Sequence, residues 1–273
     1  MTGRRKGIPI SALVASIVLV LFITVALLAD VTAPYGMADI VGGAWQESSS
    51  QFPLGTDNLG RDLLSRLLFA ARTTILIAAF ATLLSFVLGS ILGFTAAVVG
   101  GWLDLVMSRA VDLMMSIPTL ICALVILTIV PPGIVTLIIV IGLLDATRVY
   151  RLSRAIAADL NAMDFVEAAK LRGEGRQWVV FREVLPNALS PLVSEFGMRF
   201  IYAVLMLSAL SFLGLGVQPP QTDWGSMVQE NKDGIVFGIS AALIPASAIA
   251  LLAICVNLVV DWALSRTTSL KRR

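Results

Sequence analysis

Long apolar runs are the feature of this sequence that most restricts its fold. A helix needs about 20 apolar residues to cross the roughly 30 Å hydrocarbon core of a bilayer. Six runs are predicted to be such spans, at 8–29, 73–99, 113–130, 134–146, 191–215 and 235–264. The fourth run reaches spanning length only if it extends from Pro132 to Tyr150. The runs predict an all-α membrane protein with six transmembrane helices, and Pro118, Pro131-Pro132 and Pro245 are candidate positions for kinks or breaks in them.

The composition agrees with this class and excludes others. Charged residues make up 14% of the 273 residues and apolar residues 58%, whereas a soluble domain carries about 25% charged residues. The formal net charge of +2 is too small for a nucleic-acid-binding surface, so no nucleic-acid partner is expected. Cys122 and Cys255 both lie inside apolar runs, which indicates packing rather than a disulfide or a thiolate metal site.

The sequence contains no histidine, and this argues against catalysis by the chain. Histidine is the most frequent general base and metal ligand in proteins. A phosphate-binding loop needs a Gly-Lys pair followed by Ser or Thr, and the dipeptide Gly-Lys does not occur. We therefore expect this chain to have no catalytic residue, no ATPase motif, and no bound cofactor or metal ion.

The distribution of lysine and arginine predicts that both termini are cytoplasmic. Positive residues are retained on the cytoplasmic side of a membrane, and a basic cluster at 4–6 precedes the first run. That run is too long for a cleaved signal peptide, whose apolar region has about 7 to 15 residues. With six spans, the positive residues left outside are Arg61, Arg66, Arg72 and Lys232.

This orientation predicts the organisation of the whole chain. The bilayer surrounds the predicted spans, and the loop after the first of them has room for a short helix following Asp62. The predicted parts are an N-terminal tail with the first helix at 1–33, an extracytoplasmic loop at 34–72, a five-helix core at 73–264 and a cytoplasmic tail at 265–273.

The segment 148–190 between the fourth and fifth runs is charged along most of its length. Asp164 and Glu167 have the spacing of a capping box, which predicts a helix from Phe165 to Arg172. Gly173 suits the left-handed position that ends a helix. The predicted helix has about two turns and is too short to be stable alone in water.

A second helix is predicted from Arg176 to Leu185. Trp178, Phe181 and Leu185 would form one apolar stripe on it, and Pro186 would end it. We expect this stripe to lie against the membrane-embedded helices. It would hold the shorter helix where a partner can bind it.

Several motifs, in order along residues 10–262, resemble a known family. Glu167-Ala168-Ala169-x-x-x-Gly173 followed by Leu185-Pro186 resembles the EAA loop of ABC importer membrane subunits, although Glu183 stands where that family usually has an aliphatic residue. Other motifs resemble the dipeptide, oligopeptide and nickel permease group, and within it the second, C-type permease. These motifs are Gly55, Thr56, Asp57, Gly60, Arg61 and Asp62 in the stretch 54–62, then Ser65-Arg66, Ala71-Arg72, Gly100 to Asp104, Ile117-Pro118, Leu210 to Gly216 and Trp224-Gly225.

The resemblance implies a type I ABC importer permease fold in the cytoplasmic or inner membrane of a bacterium or archaeon. It implies a homologous second permease subunit, two ATPase subunits that bind ATP and Mg²⁺, and an extracytoplasmic solute-binding protein. The helix from Phe165 would then be the coupling helix, docked on an ATPase subunit. The residues that this implies for the coupling loop are Asp164, Phe165, Glu167, Ala168, Ala169, Lys170, Leu171, Arg172, Gly173, Leu185 and Pro186.

Simpler interpretations remain open for parts of these motifs. Glu167 could serve only to cap its own helix. Lys170 and Arg172 could be ordinary positive residues of the cytoplasmic side. The stretch 55–62 could be a polar turn, although the ordered family match favours the motif, in which Arg61 and Asp62 are expected to fix the fold of the loop.

Ionisable residues in or near the predicted spans are candidates for a translocation path, because such groups are costly in a membrane and are usually paired or cavity-facing. Asp104, Asp112, Asp145, Arg199 and Asp261 belong to this set. Arg199 is the first candidate, facing a peptide carboxylate, and Asp112 and Asp145 are the next. A paired structural role near the inner interface is the alternative for these two aspartates.

The predicted function is import of di- or oligopeptides, or of a related small solute, by alternating access driven by the ATPase subunits. One alternative is a proton-coupled secondary transporter that uses Asp112, Asp145 or Asp261. The other is an intramembrane enzyme, which would need a nucleophile and base that the sequence does not show. Opines, nickel chelates and glycosides remain possible cargoes within the group.

Overall fold

The computed structural model describes residues 9–271, apart from the side chains of Arg176, Leu189, Ser190 and 266–271. Helices dominate this part of the chain, and two isolated β-bridges occur in the loop before the second helix. A π-helix at Val179–Val184 and 3₁₀ helices at Lys232–Phe237 and Ser240–Ala242 supplement the α-helices. The α-helices are α1 (Ile10–Thr32), α2 (Leu63–Val99), α3 (Gly101–Ser116), α4 (Thr119–Ile129), α5 (Ile134–Asn161), α6 (Asp164–Leu171), α7 (Arg176–Trp178), α8 (Leu185–Phe212), α9 (Trp224–Asn231) and α10 (Leu243–Lys271).

Among the described residues, four segments are long and apolar enough to cross a membrane, namely Ile10–Thr32, Leu63–Val99, Pro191–Phe212 and Ser240–Ser265. A fifth span results if α3 and α4 together form one, with a bend of 86° between them. The fourth predicted span lies in α5, which does not qualify. Its apolar run meets Asp145, and Arg148 and Arg151 follow on the same helix. The structure thus supports a multi-pass helical membrane protein, and the count of six spans remains a prediction.

Several predicted boundaries shift in the structure. The short helix expected after Asp62 and the second span are one continuous helix, α2, which begins at Leu63. The sharp bend at Ile117-Pro118 confirms a break there, and Pro131-Pro132 lie between α4 and α5. Pro245 lies in the first turn of α10 and causes no break, because the first turn tolerates a residue without an N–H group.

The chain divides into two compact units, one formed by 1–78 with 204–273 and the other by 79–203. In the first unit, α1 packs against α10. The buried side chains of α1 are all alanines, at positions 12, 15, 26 and 29. Small residues allow helix backbones to approach closely in a membrane, so this stripe sets the contact of α1 with its neighbours.

In the second unit, the later half of α2 packs closely on α5 through two glycines four residues apart. A Cβ atom on Gly89 would lie 2.6 Å from the Cβ of Val149, and one on Gly93 would lie 2.7 Å from the carbonyl oxygen of Tyr150. Spacing of this kind is typical of helix pairs in membranes. The contact fixes the position of α5, which leads directly to the segment predicted to bind a partner.

Candidate functional site

The predicted coupling helix is present as α6, but it begins differently from the prediction. Asp164 is its first helical residue, and Met163 is the N-cap, with no side-chain capping bond. The Met163 carbonyl instead accepts hydrogen bonds from the backbone N–H groups of Val166 (3.0 Å) and Glu167 (3.2 Å). The predicted capping box is therefore wrong. Asp164 and Glu167 still lie in the first turn, where the helix dipole favours negative charge.

The end of α6 follows the prediction. Gly173 has a φ of 82°, and its N–H donates to the Lys170 carbonyl at 2.9 Å, while the N–H of Glu174 donates to the Ala169 carbonyl at 3.2 Å. These two bonds form a Schellman motif, which needs a left-handed residue after the helix. Glycine adopts this conformation without the steric cost that a Cβ atom imposes.

One face of α6 is buried and the other is open. Val166 and Ala169 are fully buried in an apolar cluster that also contains Phe94, Ala157 and Val184. The remaining residues predicted for the coupling helix, from Asp164 to Gly173, are all exposed. Leu171 is 83% exposed. The buried face of α6 thus packs on its own chain, and the open face presents apolar and charged side chains to the outside.

The segment that supports α6 differs from the predicted helix. Val179–Val184 is a π-helix, in which the N–H of Leu185 reaches back to the Val180 carbonyl. Its buried side chains are Val179, Val180 and Val184, while Phe181 is exposed. Trp178 and Leu185 of the predicted stripe are half-buried and pack against the same apolar cluster as α6. The prediction is wrong for Phe181, because i to i+5 bonding places Val179, Val180 and Val184 on the inner face instead.

Pro186 does not end this segment. It lies in the first turn of α8, which continues directly from the π-helix to Phe212. Because the helical backbone is continuous here, the missing N–H group of Pro186 removes one backbone hydrogen bond from this stretch. The backbone is consequently helical without a gap from Arg176 to Phe212, and Pro191 lies inside α8.

Glu183, which stands where the family usually has an aliphatic residue, pairs with an arginine. The guanidinium Nη2 of Arg172, just after α6, lies 3.7 Å from its Oε1 atom. The same guanidinium lies 5.8 Å from the ring centroid of Trp178. These contacts connect the end of α6 to the supporting segment. Because Arg172 is exposed, the pair contributes little to stability.

A charged cluster connects α5 to α8 in the same unit. Arg199 on α8 lies 3.3 Å from Asp145 Oδ1 and 2.5 Å from Glu195 Oε1. Arg148 lies 3.6 Å from the same Asp145 oxygen, and its guanidinium carbon is 4.4 Å from the ring centroid of Tyr202. The structure thus brings together Asp145 and Arg199, two of the three pathway candidates, and gives Arg199 two carboxylate partners.

The third pathway candidate, Asp112, lies exposed on α3. It does not belong to the cluster around Arg199. On the same helix, Asp104 pairs with Arg154 of α5, and Ser108 bonds the Tyr150 hydroxyl at 3.1 Å. These contacts fix α3 along α5, so Asp104 has a structural partner.

The loop motif at 55–62 forms the centre of a second charged cluster. The buried Asp57 carboxylate accepts hydrogen bonds from Arg61 Nε at 2.6 Å and from Arg66 Nη1 at 2.5 Å. Glu230 on α9 accepts bonds from both arginines, at 2.5 Å and 2.6 Å. The cluster joins the loop before α2 to the segment between α8 and α10.

The remaining motif residues shape the same loop. The Asp62 carboxylate accepts bonds from the backbone and hydroxyl of Ser65 at the start of α2. Thr56 donates its hydroxyl hydrogen to the Gly43 carbonyl at 2.6 Å. Gly60 has a φ of 80°, and a Cβ atom there would lie 2.2 Å from the Gly42 carbonyl oxygen. The geometry agrees with the expectation that Arg61 and Asp62 fix the loop.

Asp223 fixes the start of α9. It forms a capping box with Ser226, and its carboxylate accepts bonds from the backbone N–H groups of Gly225 and Ser226. Burial raises the pKa of this carboxyl group, and the hydrogen bonds that it accepts oppose the rise. The position of α9, and with it of Glu230, thus depends on a buried cap.

Comparison with known proteins identifies the family. Residues 85–269 match the family described as the binding-protein-dependent transport system inner membrane component. The chain belongs to this family. It is the membrane subunit of a binding-protein-dependent ABC importer, and the proton-coupled alternative is not favoured.

Three curated relatives extend the match to nearly the whole permease. It is 38% identical to the dipeptide transport system permease protein DppC of Escherichia coli K12, over 94% of this chain and 87% of the relative. It is 35% identical to the di/tripeptide permease DppC of Pseudomonas aeruginosa, over 89% and 82%. The glutathione permease GsiD of Pectobacterium atrosepticum is 30% identical, over 92% and 84%. All three relatives are permease proteins rather than enzymes.

Sequence reasoning missed several residues of the permease that the structure places in these clusters. Glu195 stands four residues before Arg199, a spacing that predicts an ion pair on one helix. The pairing of Arg66 with Glu230 gave no local signal, because the two residues are 164 positions apart. Within the described residues, no group of three or more His, Cys, Asp or Glu side chains is arranged to hold a metal ion.

Proposed function

We propose that this permease imports di- or oligopeptides, or a closely related solute, and that α6 is the site where an ATPase subunit docks. The proposal depends on the two faces of α6. One face is exposed, and the other, formed by Val166 and Ala169, is buried in an apolar cluster. An exposed short helix with apolar and charged side chains fits a groove on another protein. The names of the relatives, which are dipeptide, di/tripeptide and glutathione permeases, support peptide cargo.

The packing around α6 suits it to transmit motion. Val166 and Ala169 are locked into a cluster with Val184, Ala188 and Leu192, so a displacement of α6 also moves the start of α8. The pair Asp145–Arg199 connects α8 to α5. Rigid-body movement of such a unit, driven by closure of the ATPase subunits, would switch the permease between two access states.

The proposed orientation places α6 and both termini in the cytoplasm. The distribution of lysine and arginine supports it. The loop at 33–62 then faces the extracytoplasmic solute-binding protein, and the segment at 213–242 lies on the same side of the membrane. A homologous second permease completes the pathway, and two ATPase subunits bind ATP and Mg²⁺. The membrane is the cytoplasmic or inner membrane of a bacterium or archaeon.

Leu171→Asp tests the docking site. The leucine is 83% exposed, so the change leaves the packing of the permease intact but buries a charge if the ATPase covers it. Loss of an interface hot spot reduces the binding free energy by more than about 2 kcal/mol. Each 1.4 kcal/mol corresponds to about a tenfold change in affinity. We expect at least tenfold less co-purified ATPase subunit and a matching loss of peptide uptake.

The matched control is Leu59→Asp, the same change at an exposed leucine of the 33–62 loop. It should retain the ATPase subunit at the wild-type level. If Leu171→Asp keeps the ATPase subunit and full uptake while the protein remains in the membrane, α6 is not the docking site.

A further inference from the structure

An exposed apolar patch lies on the 3₁₀ helix Lys232–Phe237, between α9 and α10. Ile235, Val236 and Phe237 are consecutive and exposed, and Val236 is 85% exposed. The ring centroid of Trp45, from the 33–62 loop, lies 6.2 Å from that of Phe237. Single exposed apolar residues are common, whereas a contiguous patch marks contact with a protein or a membrane.

The position of the patch along the chain places it next to lipid. The candidate span Pro191–Phe212 ends, and Ser240–Ser265 begins, on either side of the segment that carries it, so both ends of this segment lie at one membrane face. Phe237 precedes Ser240 by three residues, at most about 11 Å of chain. The headgroup zone extends about 5 to 7 Å beyond the hydrocarbon core on each side. The patch therefore lies in this zone or directly beside it.

Exposed apolar residues also lie on both sides of the patch along the chain. Leu213, just after the end of α8, is exposed, and so is Leu243 at the start of α10. These leucines flank the segment on both sides. Exposed apolar residues this close to the ends of two candidate spans are suited to cover by the lipid that surrounds those spans.

The polar groups beside the patch have the arrangement expected at a membrane surface. The ammonium group of Lys232 lies 5.8 Å from the ring centroid of Phe212, the last residue of a candidate span. A lysine at such a place lays its stem on apolar surface and keeps its charge at the phosphate level. The indole N–H of Trp45 donates to Asn231 Oδ1 at 3.3 Å. Tryptophan rings with one satisfied polar end are typical of membrane interfaces.

We propose that Lys232–Phe237 and Trp45 form an interfacial anchor in the leaflet on the side of the 33–62 loop. Ile235, Val236 and Phe237 enter the boundary between headgroups and acyl chains, and Lys232 approaches the lipid phosphates. Asn231 bonds both Trp45 and the backbone N–H of Asn58, so the anchor holds the loop at a fixed height above the membrane. This role does not depend on the transported solute or on docking at α6.

Depth-dependent quenching tests the anchor. The native cysteines are replaced by alanine, and a small fluorescent label is attached to Val236→Cys. The purified complex is then reconstituted with lipids that are brominated near the top of their acyl chains. Leu251→Cys, exposed on α10, is the control within the membrane, and Ser49→Cys, exposed in the loop, is the control in water. We expect the label at 236 to be quenched by the brominated lipid and shielded from aqueous iodide, and the label at 49 to behave oppositely.

Two results would overturn the proposal. Quenching at 236 by iodide but not by brominated lipid would place the patch in water. Shielding from both quenchers would place it against a protein, either the second permease or the solute-binding protein.

A charge change tests the role of Lys232. Adding Lys232→Glu to Val236→Cys should weaken the quenching by brominated lipid, because phosphate repels a carboxylate. Adding Asp233→Asn, at the exposed neighbour, should not weaken it. Equal quenching in both double variants would show that Lys232 does not contribute to the anchor.

Discussion

At the scale of single residues, Gly173 shows how one backbone conformation shapes the docking site. Its positive φ ends α6 and turns the chain toward the supporting segment. The space around a Cβ atom at this position is open. Any cost of a side chain here is therefore a cost in backbone conformation, not in packing.

We expect Gly173→Ala to fray the end of α6. A left-handed backbone costs an L-residue about 1 to 2 kcal/mol, so the last turn should exchange its amide hydrogens faster and peptide uptake should fall. Hydrogen exchange at 169–174 and uptake by the reconstituted complex measure both effects. Gly175→Ala is the matched control, because a Cβ atom there also meets open space and its φ is not positive. Equal exchange in the two variants would contradict the assignment.

At the scale of helices, the fold depends on close contacts that position α5 and α8 beside α6. Gly89 and Gly93 bring α2 onto α5, and the cluster of Asp145, Arg199 and Glu195 brings α8 to the same helix. The first contact excludes any side chain, and the second pairs charges that would be costly alone in lipid. Together they make α5 the common support of the unit.

Gly93→Ala should destabilise this unit. The new Cβ atom would lie 2.7 Å from the carbonyl oxygen of Tyr150, so α2 and α5 must separate, and overpacking of this kind costs about 1 to 3 kcal/mol. Thermal unfolding in mild detergent is the measurement. The control is Leu92→Ala on the same helix, where the side chain is 44% exposed. The helix contact would be in doubt if both variants unfolded at the same temperature.

The helices also show what can be learned from sequence and what cannot. Apolar runs predicted the helical class, and a glycine after a short charged helix predicted the end of α6, because both signals are local. The register of the π-helix Val179–Val184 was missed because a stripe with 3.6 residues per turn was assumed. The ion cluster of Arg66 and Glu230 was missed because its members meet only in the folded chain.

At the scale of the whole molecule, the chain is the membrane subunit of a binding-protein-dependent ABC importer. The family match covers residues 85–269, which include α6 and the cluster around Arg199. In the second unit, Asp104 pairs with Arg154 and Asp145 with Arg199, which suits structural pairing of these two carboxylates better than a proton relay.

Transport by the purified complex should therefore require ATP and not a proton gradient. In proteoliposomes that contain the complex and its solute-binding protein, uptake of a labelled dipeptide should fall to background without ATP and should be unchanged by a protonophore. A non-hydrolysable ATP analogue serves as the control for nucleotide binding alone. Uptake that persists without ATP and stops with the protonophore would favour a secondary transporter.

The buried cluster of Asp57, Arg66 and Glu230 has a consequence for biosynthesis. Chains emerge from the ribosome N-terminus first, and Glu230 is made 164 residues after Arg66. Arg66 therefore lacks this carboxylate partner until most of the polypeptide has been translated, and only Asp57 can pair with it before then. A truncated or stalled chain that ends before Glu230 would leave Arg66 without this partner.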